Sequence, residues 1–305
     1  MRAYVLLIIA MLAFVLNSVS ASALTYLSVG VEGYNPRINN YGEIVYTTSS
    51  GSIVSSVRGT IPSHGIHPIQ PNLNDLGEIV YADSRPSGTG PWTIYSTERG
   101  EIAYGDTSPA INNHGEIAWA WGQAYPRTLY SNERGILMQL LSYDADFISV
   151  DMNDGGEIVC AYRDYDFSYK LFSSVAGQLL EFDHNLGNVS INNNGDIAYR
   201  YLNNNFRWDY ASLEGERLID LDADVFQLGQ FDRNDYGDIV FNIDYPGLNG
   251  YYLVLATDRP EYYPNYSPFD PDDINHVPLP GAVLLLGAGL GRFALYSRRR
   301  LADRN

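Results

Sequence analysis

The chain has 305 residues, with 19 basic and 36 acidic side chains and a net charge of −17. Such a surface repels nucleic acid and anionic lipid, and excludes nucleic acid as a partner. The single cysteine excludes an internal disulfide, so burial alone must hold the fold.

Residues 1–23 read MRAYVLLIIAMLAFVLNSVSASA. Arg2 is a short positive start, Tyr4 to Leu16 is apolar, and Ala21-Ser22-Ala23 is an A-x-A cleavage site. This predicts a secretory signal peptide with signal peptidase as its partner. The apolar core is shorter than the roughly 20 residues of a spanning helix.

Residues 24–260 carry an internal repeat. INNYGEIVY at 38–46 returns as INNHGEIAW at 111–119 and INNNGDIAY at 191–199. Aligned on glycine, the copies centre on Gly42, Gly77, Gly115, Gly156, Gly195 and Gly237. Each glycine follows an asparagine by three residues: Asn39, Asn74, Asn112, Asn153, Asn192 and Asn234. Next in each turn stands Asn40, Asp75, Asn113, Asp154, Asn193 or Asp235. After the glycine come an acid and then an isoleucine, in every copy. Asn and Asp favour tight turns by bonding their own backbone, and glycine accepts the positive φ. The β-branched and aromatic run that follows predicts a strand covered on both faces.

A second motif, Ser-x-x-x-Gly, recurs as Ser55–Gly59, Ser96–Gly100, Ser131–Gly135 and Ser173–Gly177. The fifth copy has Ala211 and Gly215 in that register, and the sixth has Ala256 and Pro260. It separates two further strands, giving four per unit. Four strands in about 40 residues predict one propeller blade. The sixth unit lacks its last strand, while TYLSVGVE at 25–32 precedes the first turn unpaired. The fold expected is therefore an all-β, six-bladed β-propeller closed by an N-terminal strand. Closure removes exposed sheet edges.

The repeat resembles the blade unit of TolB-like propellers and the NxxGxxV tandem-repeat proteins over residues 25–258. That resemblance implies that the Asn-x-x-Gly turns lie on the face away from the usual ligand funnel.

Beyond 260, residues 261–276 read as a Pro/Asp-rich linker. Residues 277–300, VPLPGAVLLLGAGLGRFALYSRRR, follow, and residues 301–305 form a tail. This segment resembles the PEP-CTERM sorting signal of Gram-negative bacteria: Val277, Pro278, Leu279, Pro280 and Gly281 open an apolar transmembrane helix, and Arg298, Arg299 and Arg300 follow it. Arg292 interrupts the run. The resemblance implies processing by an exosortase-like sorting enzyme. It also implies delivery to the cell envelope or extracellular matrix, with transient membrane anchoring through the C-terminal segment. Basic residues after an apolar segment independently favour a cytoplasmic end.

The ring of Asn, Asp and Glu letters looks like a ligand set, but turn chemistry accounts for every one of them. Neither a metal nor a cofactor is expected. His64 and His67 lack a partner cluster, and Cys160 takes the aromatic strand position. No catalytic motif stands out. The opposite loops carry Trp92, Tyr125, Tyr165, Trp208 and Tyr245 among polar residues, as stacking recognition of sugars requires. The reading is an exported binding or structural surface protein without enzymatic activity, with extracellular polysaccharide as its ligand. The alternative is a propeller-type glycoside hydrolase or lyase using funnel carboxylates such as Asp106, Asp146, Asp183 or Asp224.

Overall fold

The computed structural model describes residues 24–84, 92–105, 107–121, 126–219, 221, 227–244 and 251–269. The expected signal peptide, sorting segment and tail lie outside the described residues.

The first strand is β1 (Thr25–Glu32). Blade one then holds β2 (Tyr34–Ile38), β3 (Ile44–Thr47), β4 (Ile53–Ser55) and β5 (Gly59–Ile61). Blade two holds β6 (Ile69–Leu73), β7 (Ile79–Asp83), β8 (Thr93–Ser96) and β9 (Gly100–Tyr104). Blade three holds β10 (Thr107–Ile111), β11 (Ile117–Trp121), β12 (Arg127–Ser131) and β13 (Gly135–Leu140). Blade four holds β14 (Asp146–Met152), β15 (Ile158–Arg163), β16 (Tyr169–Ser173) and β17 (Gly177–Phe182). Blade five holds β18 (Leu186–Ile191), β19 (Ile197–Leu202) and β20 (Trp208–Ser212). Blade six holds β21 (Gln227–Arg233), β22 (Ile239–Asp244) and β23 (Tyr251–Thr257), and β24 (Ser267–Pro268) ends the set.

The chain is an all-β, six-bladed propeller. Within each blade the strands are antiparallel, and in blades one to five they follow chain order from the inside outward. Blade six is completed by β1, which pairs with β23 from Thr25 opposite Thr257 to Glu32 opposite Tyr252. The N-terminal strand therefore closes the ring. Beyond it β24 adds a fifth strand, pairing Leu27 with Pro268 and Ser28 with Ser267. The stretch read as a linker from 261 thus stays on blade six up to Phe269, whose N–H donates to the Tyr26 carbonyl at 2.8 Å. Its Tyr263 is buried in the seam with Ile38, Ile44 and Leu255.

The core divides into six clusters, one at each seam between neighbouring blades. The repeated isoleucine after the turn feeds these seams: Ile44, Ile79, Ile117 and Ile158 are fully buried. Burying each side chain of this size contributes roughly 1.5–3 kcal/mol. Because β3, β7 and β22 sit between two seams, both of their faces are apolar. Cys160 is buried in the aromatic position of β15, among Leu129, Val150 and Met152.

The turns take the geometry their letters dictate. In every blade the glycine N–H donates to the asparagine carbonyl at 3.0 to 3.1 Å. The glycine φ lies between +76° and +85°, the left-handed region that a β-branched residue resists. The acid after the glycine has a separate role: Glu43, Glu78, Glu116 and Glu157 each accept a hydrogen bond from the serine of the second motif. Those serines also cap the turn between third and fourth strands, as Ser55 Oγ does for the N–H groups of Val57 and Arg58. Blade five departs from this pattern. Ser212, not Ala211, pairs with Ala198, as Ser55 pairs with Val45. Its turn is a residue shorter, and beyond it the described residues make a single bridge, Ala211 to Arg217.

Candidate functional site

The inner strands β2, β6, β10, β14, β18 and β21 each touch the next, and β21 touches β2, so they surround a central channel. At one mouth stand the six turns. Each asparagine side chain donates through Nδ2 to the carbonyl of the equivalent asparagine one blade on, and Asn234 returns the chain of bonds to Asn39, at 3.1 to 3.4 Å. A second ring lies beside it. The N–H groups of Asn40, Asp75, Asn113, Asp154, Asn193 and Asp235 each donate to the side-chain Oδ1 of the next member, at 2.6 to 2.9 Å. Amide and carboxylate alternate around it, so Asn113 Nδ2 donates to both Asp75 and Asp154, and Asn40 Nδ2 to both Asp75 and Asp235. The space left at this mouth is about 70 Å³.

Deeper in the channel, two residues before the turn asparagine, lies a layer of polar side chains in every blade but the third, where Ala110 stands. Arg37 Nη1 stands 3.8 Å from Asp232 Oδ1, and Ser190 Oγ donates to that oxygen at 2.7 Å. Asp232 Oδ2 accepts the Ile38 N–H of blade one, and Asp151 Oδ2 accepts the Ile191 N–H of blade five. Both carboxylates thus bridge blades. Burial, with the Asp232 charge adding to it, pushes the Asp151 carboxyl up to about 7, against the pull of Arg37. Burial raises Asp232 in the same direction. One of two facing buried carboxylates therefore keeps its proton near neutral pH.

The opposite mouth opens into a cleft of about 470 Å³. Tyr34, Trp208 and Tyr251 supply its aromatic faces, and Asn35, Gln227, Gln230 and Asn242 supply amides. Tyr34 and Tyr251 meet edge to face at 4.9 Å. The Arg200 guanidinium lies 3.8 Å over the Trp208 ring. Asn242 Oδ1 accepts the Gln230 N–H at 2.6 Å, which fixes its amide at the floor. Asp244 stands at the rim, paired across the strands with Gln227 and with Tyr251.

Of the five aromatic residues expected to bind, Trp208 lines this cleft. Trp92 packs into the core between blades two and three, and Tyr165 is 64% exposed at the tip between β15 and β16. Tyr125 and Tyr245 lie outside the described residues, as do Asp106 and Asp224. Asp146 is held by Arg127 at 2.6 Å and Asp183 is exposed after β17, and neither lines the channel or the cleft. Asp151 and Asp232 are not among the carboxylates expected from the sequence, because they lie inside strands and not in loops. Their signal was a charged letter two residues before the turn asparagine, inside a strand. His64 is not isolated: its Nδ1 meets the Tyr81 hydroxyl at 2.8 Å and its ring stacks on Tyr95.

No family model matches this chain, and no curated protein matches it. Among solved structures it is similar to a protein described as an oxidoreductase (glucose dehydrogenase) from Thermus thermophilus. That likeness has a TM-score of 0.50 and 12% identity over 77% of this chain and 100% of that one. It is also similar to a protein described as a gluconolactonase from Xanthomonas campestris, with a TM-score of 0.50 and 9% identity over 76% of this chain and 89% of that one. At such identities the likeness shows the fold. It also corrects one expectation. The two propellers just named are described as enzymes, which counts against the expectation of a chain without enzymatic activity.

Proposed function

We propose that the chain is a sugar-active propeller whose substrate sits in the cleft against Trp208 and Tyr251. The observation that carries this reading is the cleft itself: about 470 Å³ that combines aromatic faces with four side-chain amides. Its volume falls in the range of roughly 300–1,000 Å³ common for ligand sites. Aromatic faces take the C–H faces of a sugar ring, and amides pair with its hydroxyls. The names of the two similar structures, a glucose dehydrogenase and a gluconolactonase, support the same ligand class.

The reaction class we assign is hydrolysis or elimination at a polysaccharide link, with carboxylates exchanging the proton. Two belong to the strands that build the cleft. Asp244, in register with Gln227 and Tyr251, is the one at the cleft; Asp232, five residues past Gln227 on the same strand, lies about 16 Å further along the channel. We further propose that the protein is exported through residues 1–23 and sorted through residues 277–300, as the two end segments read.

The test is incubation of the purified protein with a panel of neutral and acidic polysaccharides, measuring new reducing ends and unsaturated products. Release of product is expected, lowered at least ten-fold by Trp208→Ala and at least a hundred-fold by Asp244→Asn. Binding without product would sink the enzymatic part, and neither binding nor product from any polysaccharide would sink the whole reading.

A further inference from the structure

Aligned on their turn asparagines, the six repeats differ systematically at two positions. Five residues before the asparagine stand Tyr34, Ile69, Thr107, Ile148, Gly187 and Gly229. Eight residues after it stand Thr47, Ala82, Ala120, Ala161, Arg200 and Asn242. In blades one to three these positions are direct cross-strand partners: Tyr34 with Thr47, Ile69 with Ala82, and Thr107 with Ala120. Cross-strand partners share a sheet face and compete for one volume. Blades one to four put the larger residue on the inner strand and the smaller on the second. Blades five and six invert the pair.

The inversion makes space for a polar head. A Cβ on Gly187 would stand 3.1 Å from Arg200 Cγ and Cδ, and one on Gly229 would stand 2.5 Å from the Asn242 amide. The side chain opposite thus presses on both positions: at Gly229 the Asn242 amide would have to move away, and at Gly187 Arg200 would have to give by a few tenths of an ångström. Arg200 and Asn242, with Gly229, line the same cleft.

Among the described residues Arg200 is also electrically alone. Its buried Nε has no hydrogen-bond partner, and among the described residues no carboxylate pairs with it. Its close electrostatic neighbours are the Tyr210 and Tyr251 hydroxyls. Burial disfavours its charge, yet a guanidinium stays protonated. An unpaired, partly desolvated cation is costly in any protein, and this chain carries a net charge of −17 from which a partner was easily drawn. Stacking on Trp208 covers the face of the guanidinium and leaves its edge donors for a planar, two-oxygen acceptor.

Resting on the sugar-active reading, we propose that the cleft selects a carboxylated sugar, a uronic acid unit of an acidic polysaccharide. Arg200 receives the carboxylate, the Asn242 and Gln230 amides take hydroxyls, and Trp208 and Tyr251 flank the ring.

The experiment is calorimetric titration of the full chain with β-1,4-linked tetraglucuronate and with cellotetraose, alike in length and linkage. The uronate should bind at least ten-fold more tightly, and its affinity should fall with rising ionic strength while that of cellotetraose holds. Arg200→Gln should bring uronate down to the cellotetraose level and remove its salt dependence, with Arg200→Lys in between. Should Arg200→Gln fail to fold, the salt series of the unaltered protein decides alone. Equal or tighter binding of cellotetraose overturns the uronate proposal and leaves the sugar reading standing. Discrimination that survives Arg200→Gln, or is indifferent to salt, also overturns it. No binding of either probe overturns both.

Discussion

The two mouths of the channel are built by opposite uses of one repeat. At the turn mouth every blade does the same thing. Six asparagine amides bond one blade to the next, and the alternating amides and carboxylates beside them do so again. At the cleft mouth the blades disagree: Tyr34 and Ile69 fill their positions, whereas Gly187 and Gly229 open theirs. Agreement among copies holds the ring shut, and disagreement among copies opens the cleft. Function in a repeat protein is thus to be sought where a repeat breaks its own rule, here in blades five and six.

The sharpest break of this comparison is Asn112→Ala. The side chain is buried and holds three bonds, accepting from the N–H groups of His114 and Glu116 and donating to the Asn153 carbonyl. Each buried group left unsatisfied costs about 1–3 kcal/mol, so a loss of about 2–4 kcal/mol is expected in urea unfolding. Sugar affinity at the far mouth should be unchanged. A cost below about 1 kcal/mol would mean that the amide ring is ornamental.

Gly229→Ala attacks the other mouth. Its new Cβ would press on the Asn242 amide, which has to swing away and release the Gln230 N–H. Stability should drop by about 1–3 kcal/mol, as overpacking does, and ligand affinity should fall with it. Retained affinity would show that the inverted pair does not shape the cleft.

The buried layer between the mouths makes stability depend on pH. Asp151 holds its proton to about 7 in the folded state, whereas an unfolded carboxyl releases it near ~4. Between these values the folded state binds more protons, so this group's contribution to stability declines as pH rises through the window. Asp238 acts in the other direction: hydrogen bonds from Arg259, Thr257, Tyr263 and Asn234 outweigh its burial and hold it below the usual range, so its contribution is lost as pH falls below ~4. The melting temperature is expected to peak in mildly acidic solution and decline towards pH 8. Asp151→Asn should flatten that decline. A melting temperature that climbs from pH 5 to 8 would refute the assignment.

The smallest effect belongs to the variable letter of the turn. Leu76 is 77% exposed between the buried parts of its turn. Leu76→Ser should move the urea midpoint by less than about 0.5 kcal/mol in free energy. A larger cost would show that this mouth has a covering partner.

Much of the fold was legible because its signals are local. Asn, Gly and the β-branched run after them define turn and strand within nine residues, and six copies made the blade count secure. The spare strand at 25–32 was legible as the piece that the sixth unit lacked. What escaped were relations between blades. The asparagine of each turn was read as serving its own reversal, which it does through Oδ1, yet its Nδ2 reaches a residue roughly 40 positions away. The strict exchange of Asn for Asp from Asn40 to Asp235 carried that information in plain view. Loop aromatics were a coarse guide to the cleft. Trp208 lies in it because Arg200 holds its ring from β19, while Trp92 is spent on a seam. The stretch after Pro260 read as a linker because its prolines and acids hide how Tyr263 and Phe269 anchor it, one beside Asp238 and one on β1.

The ring of alternating amides and carboxylates also sets a rule of parity. Each Asn stands between two Asp and each Asp between two Asn, from Asn40 and Asp75 round to Asn193 and Asp235. A cycle of two kinds of member closes only on an even number. One blade added to this chain, or one removed, would place carboxylate against carboxylate or amide against amide at the joint. Growth or loss of blades in such a lineage would therefore proceed by twos, with the pair of neighbouring repeats, not the single repeat, as the heritable unit.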